Sequence, residues 1–132
     1  MKKLSILSGL VILLFFTACL DKTAAQEIKL LTPQEYQDAI TTNEDVQLVD
    51  VRTPEEFAEG HLENALNIDF LESDFITEVE KLDLKKPIYI YCRSGKRSGR
   101  AALVLKDVGF SEIYDLQGGF LNWEKNEFQA QE

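Results

Sequence analysis

Apolar positions along the chain fall into short runs, separated by polar stretches that carry helix-start signals. Ile28 to Leu31 predicts a short strand. Thr32-Pro33-Gln34-Glu35 then sets a capping box with proline at the first helical position, opening a helix to about Thr41. Gln47 to Val51 predicts a buried strand. Thr53-Pro54-Glu55-Glu56 repeats the same start signal for a short helix to Glu59. Ala65 to Ile68 predicts a third strand, and Asp74 to Leu82 a helix. Ile88 to Tyr91 is near-continuously apolar, the pattern of a central strand covered on both faces. Ser98 to Val108 has helical periodicity and is stopped by Gly109. Ile113 to Leu116 predicts a fifth strand, and Gly119 to about Asn126 a last helix. Strands separated by helices imply an α/β fold: a parallel sheet of about five strands, right-handed crossovers, and helices on both faces.

The amino terminus follows a different pattern. Met1-Lys2-Lys3 is a short basic start, and Leu4 to Phe16 is an apolar run of thirteen residues broken only by Ser5, Ser8 and Gly9. That is the length of a signal-peptide core and too short to span a bilayer. Phe16-Thr17-Ala18-Cys19 resembles a bacterial lipobox, although leucine is usual where Phe16 stands. The preferred division is a lipoprotein-type signal peptide over 1–18, lipidation at Cys19, a polar tether over 19–27, and a domain over 28–128. Cleavage after Ala25 by ordinary signal peptidase is the alternative. Either way the expectation is a protein exported in a bacterium, on the periplasmic side or in the cell envelope. Lipidation would make it membrane-anchored, through several acyl chains.

Charge narrows the partners. The chain carries a net charge of −9, and losing Lys2 and Lys3 with the leader makes it −11. So acidic a surface argues against nucleic acid, and leaves a membrane only through the lipid at Cys19. There are two cysteines. If Cys19 carries lipid, Cys92 is an unpaired thiol in an exported chain, which is a flag for reactivity. A Cys19–Cys92 bridge would tie the leader-proximal tail to the loop after the fourth strand.

Against the acidic background, Arg93, Lys96, Arg97 and Arg100 form a local basic cluster directly after Cys92. Cys92 ends the central strand and begins a tight loop above a helix N-terminus. Ligands of parallel sheets bind beyond the carboxyl ends of the strands. Helix N-termini and nests of N–H groups bind anions and favour a thiolate. A cysteine held this way suits nucleophilic attack on something anionic. A structural reading, with Cys92 a small buried hydrophobe, does not account for the glycine, serine and arginine that follow it.

Four motifs carry a family resemblance. Cys92-Arg-Ser-Gly-Lys-Arg97-Ser98 resembles the active-site loop of the rhodanese family. Asp50-Val51-Arg52 is similar to that family's Asp-x-Arg after an early strand. Glu56-Phe57-Ala-Glu-Gly60-His61-Leu62-Glu-Asn64-Ala65-Leu-Asn67-Ile68 resembles its Glu-Phe-x-x-Gly-His-Ile-x-Gly-Ala-x-Asn-Ile segment. Asn64 stands where glycine is usual, and asparagine tolerates a left-handed turn. Leu116-Gln-Gly118-Gly119-Phe120-Leu-Asn-Trp123 resembles its Gly-Gly-x-x-x-Trp. The four occur in order over residues 30 to 125.

The resemblance implies a rhodanese-like three-layer domain and a sulfurtransferase. The Cys92-x4-Arg97 loop is one residue shorter than the Cys-x5-Arg of related phosphatases, and in the family the shorter loop goes with sulfane-sulfur transfer. By the same resemblance Cys92 is catalytic. Arg93, Ser94, Gly95, Lys96, Arg97 and Ser98 bind the donor, with Arg97 expected in direct contact. Asp50, Arg52 and His61 support the loop. The substrates implied are a small anionic donor such as thiosulfate and a cyanide, thiol or protein acceptor. The rival is a persulfide carrier or sulfur-sensing module without turnover. His61, the only histidine, has no cysteine or acid at ligand spacing, so no metal or cofactor is expected. Trp123 with Phe120 is expected to plug the core, and Glu55, Glu56 and Glu59 to form a solvated helix face.

Overall fold

A computed structural model describes residues 25–132. The segment expected to be a signal peptide and Cys19 lie outside the described residues. The elements run β1 (Glu27–Leu31), α1 (Pro33–Thr42), β2 (Gln47–Asp50), α2 (Pro54–Glu59), β3 (Leu66–Asn67), α3 (Phe75–Val79), β4 (Ile88–Tyr91), α4 (Lys96–Val108), β5 (Glu112–Leu116) and α5 (Gly119–Lys125). The five strands form one parallel sheet in the order β1-β5-β4-β2-β3, so β4 is central. No helix among the described residues is long and apolar enough to cross a membrane.

The sheet is covered on both faces, and the period of two in β4 divides the core. Ile88, Ile90 and Cys92 face α3 and α4, packing with Phe75, Val79, Ala101, Ala102 and Leu105. Tyr89 and Tyr91 face the opposite core, with Tyr36 of α1 and Phe120 and Trp123 of α5. All four residues of β4 are buried, which is why the segment is apolar at consecutive positions.

The two capping boxes form as the sequence implies. Thr32 and Thr53 accept from the N–H groups of Glu35 and Glu56, whose side chains return to the cap N–H groups. Each cap contributes about 1 kcal/mol.

Strands β1 and β5 each begin one residue earlier than the sequence implies, and four other boundaries differ for an identifiable reason. Helix α4 begins at Lys96, two residues before Ser98. Gly95 caps it in a left-handed conformation, φ +99°, without any side-chain cap, so no Ser or Asp signal marks the start. Helix α3 spans only Phe75–Val79 because Asp74 makes no capping bond and Leu82 N–H turns back to the Val79 carbonyl. Strand β3 is cut to two residues, since Ala65 N–H is taken by a turn onto Leu62. Strand β2 ends at Asp50, although Val51 N–H still bonds the Tyr91 carbonyl.

Candidate active site

Cys92 follows the last residue of β4 and is 1% exposed. Its Sγ accepts a hydrogen bond from the Gly95 N–H at 3.1 Å. This bond exists because the chain turns back within three residues, and Gly95 permits that turn through its positive φ. Helix α4 begins at the next residue, so its N-terminus lies at the loop. Arg93, Ser94 and Lys96 are exposed around the buried sulfur. Arg93, Lys96 and Arg100 make no ion pair among the described residues. The Arg100 guanidinium instead lies 5.5 Å from the Phe70 ring centroid.

The loop is held from its far side by α5. Phe120 N–H donates to the Cys92 carbonyl at 2.8 Å, and Leu121 N–H to the Arg93 carbonyl at 3.0 Å. Two carbonyls that would otherwise be orphaned at the strand end are thereby satisfied by the free N–H groups of a helix start. The approach requires Gly119, which faces both carbonyls at φ +61°.

Arg97 is paired with an acid from another helix. Its two terminal nitrogens each bond a Glu56 oxygen at 2.7 Å, a bidentate pair that joins α2 to the first turn of α4. Arg97 holds the Glu56 carboxyl down to about 2, and Glu56 in turn raises the guanidinium. The Arg97 charge also reaches Cys92 and Asp69. Glu56 is thus not a free member of a solvated face. Its place in the capping box hid this second role, because the two partners are 41 residues apart.

Asp50 and Arg52 are both buried and bonded to each other. Arg52 donates to the Asp50 carboxylate through Nε at 3.0 Å and Nη2 at 2.6 Å, and Nη2 also donates to the Gly60 carbonyl at 2.6 Å. Burial acts to lower the Arg52 pKa, but the bond and charge of Asp50 outweigh it and the net shift is upward. The guanidinium lies 4.2 Å from the Phe120 ring centroid and 5.5 Å from that of Tyr91. Neither residue bonds the loop directly. Arg52 packs instead on the ring of Phe120, whose N–H donates to the Cys92 carbonyl.

His61 stacks on Phe57 at 3.7 Å, its Nδ1 lies 2.9 Å from the Phe57 carbonyl, and its backbone pairs with Gln131. These contacts fasten the turn after α2 to the carboxyl-terminal segment. Ser98 is fully buried, its Oγ 3.3 Å from the Gly95 carbonyl. Trp123 is buried edge-on to Tyr36, with Nε1 donating to the Gln129 carbonyl. Among the described residues, no group of three or more His, Cys, Asp or Glu side chains converges on a metal position. A cavity of about 470 Å³ lined by Asp45, Lys86, Pro87 and Tyr89 lies at the amino ends of β2 and β4, opposite Cys92.

This arrangement offers a thiol, one N–H donor on its sulfur, a helix N-terminus and unpaired cations at the rim. Such a site stabilises an anion at Sγ and attracts an anionic reactant.

The sequence and the fold recur in known proteins. A family model described as the rhodanese-like domain matches residues 32–126. The protein named YqhL of Bacillus subtilis, described as uncharacterized, is 36% identical over 123 residues, which cover 89% of this chain and 94% of that one. The thiosulfate sulfurtransferase GlpE of Ectopseudomonas mendocina is 40% identical over 98 residues, 74% of this chain and 85% of that protein. Among solved structures, a rhodanese-like domain protein from Staphylococcus aureus superposes with a TM-score of 0.65 at 29% identity, over 72% of this chain and 90% of that one. A rhodanese-related protein from Thermoplasma volcanium reaches 0.69 at 24% identity over 78% and 97%, a likeness of fold.

Proposed function

The chain belongs to the rhodanese-like domain family and is related to sulfurtransferases, and from that premise we propose that it transfers a sulfane sulfur through a persulfide on Cys92. The observation that carries this reading is the Gly95 N–H donated to Cys92 Sγ beside the start of α4.

In the first half-reaction the Cys92 thiolate attacks the outer sulfur of a donor such as thiosulfate. A new Sγ–S bond forms, the donor S–S bond breaks, and sulfite leaves with the electron pair. The terminal persulfide sulfur then bears the charge that the loop N–H and the helix dipole favour. Arg93, Lys96 and Arg100 draw in the dianionic donor, and Arg97 contributes its field from its place against Glu56. In the second half-reaction cyanide or a thiolate attacks the terminal sulfur, and Cys92 returns as thiolate. A protein thiol acceptor meets the same requirement.

Thiocyanate formation from thiosulfate and cyanide tests the reading, with Cys92→Ala as control. Turnover that vanishes in the variant supports it. No turnover, with one sulfur retained on Cys92, favours the carrier. No turnover and no persulfide removes both.

The amino terminus adds a location to the proposal. Lys2-Lys3, the apolar run to Phe16 and Thr17-Ala18-Cys19 support export and lipidation at Cys19 on the periplasmic or envelope side. Membrane fractionation of Cys19→Ala checks this. Retained membrane association would contradict a lipid at that cysteine, and a mature chain starting at Gln26 would mark cleavage after Ala25.

A further inference from the structure

Strand β5 carries a carboxylate that the sulfur chemistry above leaves unused. Asp115 pairs in register with Ile90. The two-residue period of a strand puts it on the same side of the sheet as Ile113, beneath α4. Cys92 stands two residues beyond Ile90 on that side. Asp115 is 4% exposed and makes no ion pair among the described residues, and its Oδ1 has no hydrogen-bond partner. Burying a carboxylate this way costs free energy, so its presence requires an account.

The account begins with Ser98, in the first turn of α4. Its hydroxyl and the Leu116 N–H are the groups that act to hold Asp115 toward its charged form, against burial. A serine hydroxyl has a single proton to give. Ser98 Oγ also lies 3.3 Å from the Gly95 carbonyl, and Gly95 N–H is the group that donates to Cys92 Sγ. The hydrogen bonds thus run from Ser98 to Gly95 and from Gly95 to the sulfur, and Asp115 acts on Ser98 from β5.

We propose that Asp115 is a positioning residue for Cys92, acting through the Ser98 hydroxyl on Gly95 and switching the loop by its own protonation. The inference rests on the reading above only in taking Cys92 as the reacting atom. With its proton on, Asp115 donates to Ser98 Oγ, and Ser98 donates to the Gly95 carbonyl. Gly95 is then held on both sides, by Ser98 and by the sulfur. With the proton off, the carboxylate captures the Ser98 hydroxyl and the Gly95 carbonyl loses that bond, keeping only the one from the Gly99 N–H at 3.0 Å. A negative charge now stands below the turn where an anion must sit. The neutral acid favours an anion at Sγ, and the carboxylate opposes it.

Burial raises the Asp115 carboxyl to about 6, which places the switch within the working range of an enzyme. No cation bonds this charge from the elements packed on β5. On α4, Arg97 is paired with Glu56, Arg100 lies over Phe70, and Lys96 is exposed. Strand β1 presents Leu30 in register, β4 presents Ile90 and Cys92, and α5 buries Gly119, Phe120 and Trp123. Tyr36, in the opposite core, is a further titratable group that feels this charge, and burial keeps it neutral.

The test follows the Gly95 amide of the full chain by NMR from about pH 5 to pH 8, beside the rate of Cys92 alkylation by iodoacetate. The amide is expected to inflect near pH 6, and Asp115→Asn to remove that inflection while leaving the His61 ring signals unchanged. Alkylation at neutral pH is expected to rise about three- to tenfold in Asp115→Asn, the effect of removing one nearby charge. In Ser98→Ala the inflection moves above its wild-type position, because a bond that stabilised the carboxylate is gone. An inflection that survives in Asp115→Asn, or no inflection in the wild type, overturns the proposal. Alkylation needs no sulfur donor, so failure to form a persulfide and failure of this switch are separate results.

Discussion

A β-carbon on Gly119 would stand 2.5 Å from the carbonyl oxygen of Cys92 and 2.6 Å from that of Arg93. Both obstacles are backbone, so neither can rotate away. The residue also holds φ +61°, where other side chains are strained. Gly119→Ala is expected to cost about 2–4 kcal/mol and to lower the melting temperature by roughly 10 °C or more. Gly99→Ala is the control. It lies within α4 with nothing inside 4 Å of the added carbon, and is expected to gain about 0.5–1 kcal/mol. Thermal unfolding of the two variants checks the pair. An unchanged melting temperature for Gly119→Ala would contradict the close approach.

The Glu56–Arg97 pair sets an acid limit on stability. The Glu56 carboxyl is held down to about 2 from its ordinary 4.5. Its contribution is therefore complete above pH 4.5 and is lost as pH falls through 2. Glu56→Gln keeps the capping-box bond but removes the charge. Denaturant unfolding should show a deficit of about 1 kcal/mol at neutral pH that closes on acidification, as suits a partly exposed pair. A deficit that does not change with pH would mean that the ion pair contributes nothing.

Asp115 has the opposite sign. Its folded carboxyl is raised to about 6 from 3.8, so the native state prefers it neutral. Stability from this group is complete below pH 3.8 and is lost as pH rises through 6. Asp115→Asn is expected to stabilise the fold at neutral pH by about 2 kcal/mol and to leave it unchanged near pH 4. Urea unfolding at the two pH values decides this, and a loss of stability at neutral pH would contradict it.

The rim cations should govern donor capture. Arg93 and Lys96 are exposed and without ion partners among the described residues. Replacing both by alanine is expected to raise KM for thiosulfate about tenfold and to flatten its dependence on salt, because exposed charges act at long range. Steady-state kinetics at low and high ionic strength check both effects. A salt dependence equal to that of the wild type would assign capture to other groups.

Much of the fold was legible because local signals agree with it. Thr32-Pro33 and Thr53-Pro54 mark helix starts that exist, and the continuous apolar run at Ile88 marks the central strand. The first two residues of α4 are not legible, because its cap is a backbone conformation at Gly95 and not a side chain. The loop itself was legible from Cys92 and its glycine and basic neighbours. Its supports were not. Glu56 meets Arg97 and α5 meets the Cys92 carbonyl only after folding, and no periodicity reports a contact between residues so far apart. Asp115 was hidden inside a strand pattern, where a single acid resembles a solvent-facing position.

The most direct test of the account is the intact mass of the chain after brief exposure to thiosulfate without any acceptor, with released sulfite measured in the same sample. One added sulfur atom on Cys92, one sulfite released, and neither in Cys92→Ser is the predicted result. An unchanged mass in the wild type, or added sulfur that persists in Cys92→Ser, would contradict a persulfide on Cys92.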